Sequence, residues 1–134
     1  MPQERCRVLF IDDHEDTSEM LTLLLGEEDY EVLTAKSIQE ALDLAKSQEF
    51  DLYVLDKHLP DGSGLELCTK LNEITPGVPC IFYTGDAYDI HRLEAMAAGA
   101  HAYVAKPDIT GLIENVQKLL SQRECAAASQ RPAY

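Results

Sequence analysis

Residues 7–13 read Arg7-Val8-Leu9-Phe10-Ile11-Asp12-Asp13, an apolar run closed abruptly by two acids. Three more runs end in a polar residue: Leu52-Tyr53-Val54-Leu55 in Asp56, Cys80-Ile81-Phe82-Tyr83 in Thr84, and Ala102-Tyr103-Val104-Ala105 in Lys106. Short runs that are almost wholly apolar suit strands covered on both faces, as in a parallel sheet. The C-terminal ends of all strands in such a sheet lie on one edge, where ligands bind. Three carboxylates, a hydroxyl and an ammonium therefore meet at one site. An aspartate after a strand can also be a simple helix cap or turn former, so the cluster carries more weight than any member.

The segments between the runs have helical periodicity. Ile38, Ala41, Leu42 and Ala45 share a face, and Ser37 with Glu40 forms a capping box. In residues 15–25, Met20, Leu21 and Leu24 share another face, with Gly26 placed for a C-terminal cap. Ser63 with Glu66 suggests a second capping box for a helix carrying Leu65, Cys68 and Leu71, which Pro76, Gly77 and Pro79 end. Asp86 or Asp89 starts a fourth helix with Ile90, Leu93 and Met96, ending at Gly99. Leu112, Ile113, Val116, Leu119 and Leu120 stripe the fifth.

Strict alternation of five strands and five helices predicts an α/β fold, a doubly wound three-layer sandwich. Glu31-Val32-Leu33-Thr34 alternates and belongs at an edge, which gives the strand order 2-1-3-4-5 with the switch point between strands one and three. At 134 residues the chain holds one domain, expected over residues 5–122, with 123–134 as a tail or linker that loses the apolar periodicity.

Twenty-four acids against 11 bases leave a net charge of -13, which opposes direct contact with nucleic acid or an anionic membrane surface. No apolar run is long enough to cross a bilayer, and no signal-peptide core follows the N-terminus, so a cytoplasmic location is expected. Cys6, Cys68, Cys80 and Cys125 form no C-x-x-C pair and are expected as reduced thiols.

Asp12, Asp13 and Asp56 at adjacent strand ends crowd three negative charges together, which a divalent cation would neutralise. Carboxylates without cysteine or closely spaced histidine favour a hard ion that keeps waters: Mg²⁺, with Mn²⁺ as a substitute. Such a site commonly completes its shell with phosphate oxygens. Lys106 can pair with a phosphoryl oxygen and Thr84 can donate to another, so the pocket suits a phosphoryl group whose acceptor is a carboxylate.

With Asp12-Asp13, Asp56 followed by Leu59-Pro60-Asp61-Gly62-Ser63-Gly64, Thr84-Gly85 and Lys106-Pro107 in order, the sequence resembles the receiver domains of two-component response regulators. The match covers about residues 7–120. It implies a flavodoxin-like, chemotaxis-Y-like fold and a phosphoacceptor switch, not an enzyme acting on outside substrates. Asp56 is then the acceptor from a histidine kinase or a histidine phosphotransfer protein. Asp13 and Asp56 bind Mg²⁺ directly, Asp12 binds it largely through water, and the backbone carbonyl of His58 completes the protein ligands. Lys106 pairs with the phosphoryl group across a typically cis Lys106-Pro107 bond, while Thr84 and Tyr103 form the switch. Without a switch role, Tyr103 is a strand residue packed beneath the fifth helix.

The resemblance further implies kinase docking near His14, Glu15 and Ser18. Output, with a homodimer open to it, falls on the face of the fourth helix, fifth strand and fifth helix, with Tyr88, Arg92, Glu94, Tyr103, Asn115 and Lys118. The signal passes to a separate effector or to a portion of the protein outside these residues. His58 places an imidazole either in solvent or at the pocket mouth, where it would alter the phosphoryl lifetime. Three rivals remain. A haloacid-dehalogenase-like phosphatase needs an acid two residues after its nucleophile, and here His14 follows Asp12. A nucleotide module needs a glycine-rich turn after the first strand, and Asp12-Asp13-His14-Glu15-Asp16 has none. A non-phosphorylated receiver-like docking module has no such objection, but leaves the acids, Thr84 and Lys106 without a purpose.

Overall fold

A computed structural model describes residues 6–28, 30–85 and 89–122. Strand and helix alternate as β1 (Arg7–Ile11), α1 (Glu15–Glu27), β2 (Glu31–Ala35), α2 (Ile38–Ser47) and β3 (Leu52–Leu55). Two short strands, β4 (His58–Leu59) and β5 (Gly62–Ser63), precede α3 (Gly64–Ile74). Then come β6 (Cys80–Thr84), α4 (Asp89–Ala97), β7 (Ala102–Ala105) and α5 (Ile109–Ser121). The five long strands form one parallel sheet in the order β2-β1-β3-β6-β7. With the antiparallel ribbon β4-β5 set aside, this is the expected order 2-1-3-4-5.

Strand period two divides the core. Val8, Phe10, Leu52, Val54, Ile81, Tyr83 and Val104 face Leu21 and Leu25 of α1 and Leu112, Val116 and Leu120 of α5. Leu9, Ile11, Tyr53, Leu55, Cys80 and Phe82 point the other way, toward α2, α3 and Ala95 of α4. Burial of one such side chain contributes about 1.5–3 kcal/mol, so the two helical layers are fixed by the alternating strand residues.

Three helices differ from the expected faces. In α1 the buried pair is Leu21 and Leu25, whereas Met20 is 40% exposed, and Gly26 lies within the helix instead of capping it. In α3 Leu67 joins Cys68 and Leu71 in the core, and Leu65 is only half-buried. In α4 Leu93 and Met96 are 64% and 41% exposed, and Ala95 makes the contact with the sheet. A small residue lets this helix approach the sheet, and the larger aliphatics then point away. The Ile90 side chain lies outside the described residues, as do Tyr88 and the expected tail. Cys6 is disulfide-bonded, which corrects the expectation of a reduced thiol there; Cys68 and Cys80 are free and buried.

The start of α2 draws on a distant part of the chain. Ser37 Oγ accepts from Glu40 N at 3.1 Å, and Glu40 Oε1 accepts from Lys36 N at 2.8 Å. Asp61 supplies the rest, accepting from Ile38 N at 2.8 Å and Gln39 N at 3.1 Å. The Ile38 amide, against an opposing effect of burial and with smaller help from the amides of Gln39 and Asp61 itself, holds the Asp61 carboxyl below its ordinary range. A carboxyl with a lowered folded pKa stabilises the fold above its unfolded pKa, about 3.9, and that contribution fades as pH falls through the folded value. Asp61→Ala should therefore lower stability at pH 7 by about 1 kcal/mol, kept small by solvent exposure, or about 4 °C in Tm. The gap between the thermal melts of the two proteins should begin to narrow near about pH 3.9 and close below the lower folded value; an undiminished gap there would remove the carboxylate from this role.

Candidate functional site

Register places the acids. Ile11 lies between Ala35 and Leu55, and the ladder continues one step further: Asp12 N donates to Ala35 O at 3.0 Å and Asp56 N donates to Ile11 O at 3.0 Å. Asp12 and Asp56 thus stand side by side beyond the last paired residues. Their side chains are 0% and 6% exposed, whereas that of Asp13 is 43% exposed. The expected convergence is present for these three acids and Lys106.

Lys106 Nζ reaches Asp12 Oδ2 at 2.7 Å and Asp56 Oδ2 at 3.1 Å. Burial alone would push its ammonium pKa down, but the Asp12 hydrogen bond and the charges of Asp56 and Asp12 outweigh it and raise the pKa. The strand edge sets this reach: Lys106 N donates to Thr84 O at 2.8 Å, and the following Lys106-Pro107 bond is cis.

Thr84 ends β6, the strand beside β3, and is fully buried. Its Oγ1 has no hydrogen-bond partner among the described residues. A buried hydroxyl left unpaired costs about 1–3 kcal/mol, so this is a donor waiting for an acceptor.

The loop after Asp56 is tightly held. Gly64 N donates to Lys57 O at 2.7 Å, and a Cβ on Gly64 would lie 2.1 Å from the Asp56 carbonyl oxygen. Only glycine lets α3 begin so near the candidate acceptor. Lys57, itself buried, extends to Glu94 Oε1 at 3.1 Å and also bonds His91 Nδ1, both on α4. The Lys57 contact, with help from His91, holds the Glu94 carboxyl below its ordinary range.

His58 has an exposed residue surface, and its backbone N–H donates to Asp56 Oδ1 at 3.4 Å. Tyr103 is half-buried, and its ring stacks on Phe82 with centroids 6.2 Å apart and an 18° interplanar angle. It packs with the α2, α3 and α4 face of the core, where its register partner Phe82 points, and not beneath α5 as the alternative to a switch role has it.

One group at the site was not anticipated. His14 Nδ1 lies 2.7 Å from Asp12 Oδ1, 3.4 Å from Asp13 Oδ1 and 3.8 Å from Asp56 Oδ2. Ligand atoms from Asp12, Asp13, His14 and Asp56 all fall within 4.8 Å of one another, close enough to gather around one cation with small side-chain adjustments. The signal was position: His14 follows the acidic pair directly and serves as the N-cap residue of α1. The carboxylates alone fit Mg²⁺.

The sequence matches the family model for the response regulator receiver domain over residues 8–117. It is 35% identical over 104 residues to the transcriptional regulatory protein CreB of Escherichia coli (strain K12), spanning 78% of this chain and 45% of CreB. The chain spans 27% to 53% of the length of the curated relatives it matches. Among solved structures, the response regulator TrrA from Thermotoga maritima, in complex with Mg²⁺-BeF, superposes with a TM-score of 0.77 at 36% identity. That match covers 86% of this chain and 99% of the other. The beryllofluoride-activated NtrC4 receiver domain dimer matches with a TM-score of 0.82 at 30% identity, covering 87% and 97%. Sheet order, the strand-end acids and a match to 110 consecutive residues agree: the chain belongs to the response regulator receiver domain family of two-component signalling.

Proposed function

We propose that this chain is a phosphoacceptor switch in which Asp56 takes a phosphoryl group from the phosphohistidine of a histidine kinase or a phosphotransfer protein. The observation that carries this reading is the Thr84 hydroxyl, buried at the end of the strand beside Asp56 and without a partner among the described residues. A tetrahedral anion on Asp56 would supply its missing acceptor.

In the proposed reaction an Asp56 carboxylate oxygen attacks phosphorus, and the P–N bond to the donor imidazole breaks. The leaving nitrogen keeps the bonding pair and takes a proton, while Asp56 becomes an acyl phosphate. Asp13 and Asp56 would hold Mg²⁺ directly, with Asp12 acting largely through water and the His58 backbone carbonyl completing the protein ligands; Mn²⁺ could substitute. The ion supplies positive charge to phosphoryl oxygens. Lys106 transfers its ammonium contact from the carboxylates to the phosphoryl group, which limits the electrostatic penalty of added charge. Thr84 donates to another phosphoryl oxygen, and the Tyr103 ring moves inward behind it.

The output is read as protein contact with a separate effector or another portion of the protein, through α4, β7 and α5, with homodimerisation on the same face. The net charge of -13 argues against nucleic-acid contact by this domain itself. Among the described residues no helix is long and apolar enough to cross a membrane, and a cytoplasmic location is proposed.

Incubation with acetyl phosphate and Mg²⁺ should add the mass of one phosphoryl group in intact-mass spectra, and Asp56→Asn should take up none. Absence of an adduct with every donor would leave a docking module in place of the switch. For Thr84→Val, removing an unpaired buried hydroxyl should preserve or raise the Tm of the unmodified protein, by up to several degrees for about 1 kcal/mol. The Tm gain on adding Mg²⁺ and beryllofluoride should be smaller than in the parent. A lower Tm without ligand would show that the hydroxyl already has a partner.

A further inference from the structure

We propose that His14 converts the acidic pocket into a mixed oxygen and nitrogen site, its Nδ1 ligating alongside the aspartates and turning the preference from Mg²⁺ toward Mn²⁺, Co²⁺ and Ni²⁺. This rests on the reading of Asp12, Asp13 and Asp56 as the cation site.

Geometry comes first. Metal–nitrogen and metal–oxygen bonds of about 2.1 Å let one ion touch two ligand atoms only when those atoms are within about 4.2 Å. The three separations from Nδ1, 2.7, 3.4 and 3.8 Å, all satisfy this limit. Each of the three aspartates therefore meets the distance condition for sharing an ion with His14. Its side chain is 63% exposed, so the ring retains freedom to adjust to the ion.

Connectivity is compatible with the same arrangement. The His14 backbone N–H donates to Asp12 Oδ1 at 2.9 Å, which anchors the residue at the pocket independently of its ring. The ring also hydrogen-bonds that oxygen, Nδ1 to Oδ1 at 2.7 Å, a contact that ligation through Nδ1 would replace. On ligation Nδ1 presents its lone pair to the ion, and the ring proton resides on Nε2, toward solvent. Lys106 approaches Asp12 through Oδ2, so ammonium and imidazole use different oxygens of that carboxylate.

The chemical consequence follows from ligand softness. Mg²⁺ takes oxygen ligands and dehydrates reluctantly, and gains little from an imidazole. First-row transition ions gain more, in an order rising from Mn²⁺ through Co²⁺ to Ni²⁺. One imidazole added to a shell of carboxylate, carbonyl and water oxygens should separate two classes of ion that oxygen ligands alone distinguish weakly.

The test uses the untagged full chain, titrated calorimetrically with Mg²⁺, Mn²⁺, Co²⁺ and Ni²⁺, with electron spin-echo spectra of the Mn²⁺ complex. The parent should show nitrogen coupling to Mn²⁺, absent in His14→Gln and His14→Ala. Both variants should lose about tenfold or more in Ni²⁺ and Co²⁺ affinity while Mg²⁺ affinity stays within about threefold. Far-UV circular dichroism checks that both retain the fold. Mn²⁺ bound without nitrogen coupling, coupling that survives in the variants, or Ni²⁺ affinity unchanged by them would each overturn the role of His14 while leaving the acidic site standing. A parent that binds neither Mg²⁺ nor Mn²⁺ would overturn the acidic site itself, and this inference with it.

Discussion

Two aspartate side chains withdrawn from water at neighbouring strand ends touch the same ammonium, and the rest of the site is arranged around that contact. Burying unpaired charge is expensive, so Asp12 and Asp56 require Lys106 wherever they stand. The parallel sheet makes the contact possible. Its register carries Asp12 and Asp56 one step beyond the Ile11–Leu55 pairing, and the β6-β7 pairing brings Lys106 back beside Thr84. Removing one partner from such a group leaves the others buried and uncompensated, so the three residues act as a unit. Any ion or phosphoryl group entering the pocket must redistribute the same contacts.

That redistribution has a direct mechanical neighbour. Lys57 follows Asp56 in sequence, and its amine contacts His91 and Glu94 on α4. The backbone of the same loop is pinned from the other side, where Gly64 starts α3 against the Asp56 carbonyl. The Asp56 loop is therefore held on one side by α3 and on the other by the Lys57 contacts to α4. The outward-facing Leu93 and Met96 place apolar surface on that helix, where a partner could read its position. The buried lysine thus joins the residue after Asp56 to two residues one turn apart on α4.

The strands and their polar ends were legible in the sequence because a parallel sheet converts linear order into position. Once β1, β3, β6 and β7 were recognised from their apolar runs, Asp12, Asp56, Thr84 and Lys106 could fall only on one edge. Helix faces were less legible. Leu93 and Met96 satisfy a helical period as well as buried residues would, and nothing local tells that Ala95 makes the contact. The Asp61 cap on α2 crosses between elements and leaves only an ambiguous turn motif in the sequence. His14 was hidden for another reason: metal-site patterns look for spaced histidines, whereas here a single histidine falls among carboxylates that the fold brings together.

Thr84 shows how the pocket can store a conformational preference without strain in the backbone. Its hydroxyl has no partner among the described residues, and an acceptor reaching it would be favoured by about 1–3 kcal/mol. A difference of 1.4 kcal/mol corresponds to about a tenfold change in an equilibrium constant, so this one contact has the scale needed to make a minor arrangement dominant. The orphan also explains why the transition would depend on the ligand's shape as well as its charge. Lys106 responds to any nearby anion, but Thr84 is satisfied only by an acceptor that reaches the buried end of β6. A phosphoryl group on Asp56 could meet both demands at once, with one oxygen toward the ammonium and another toward the hydroxyl. A second carboxylate could satisfy the charge, yet it lacks the three-fold spread of acceptors. The pocket would thereby discriminate a covalently bound phosphoryl group from the carboxylates already crowded around it.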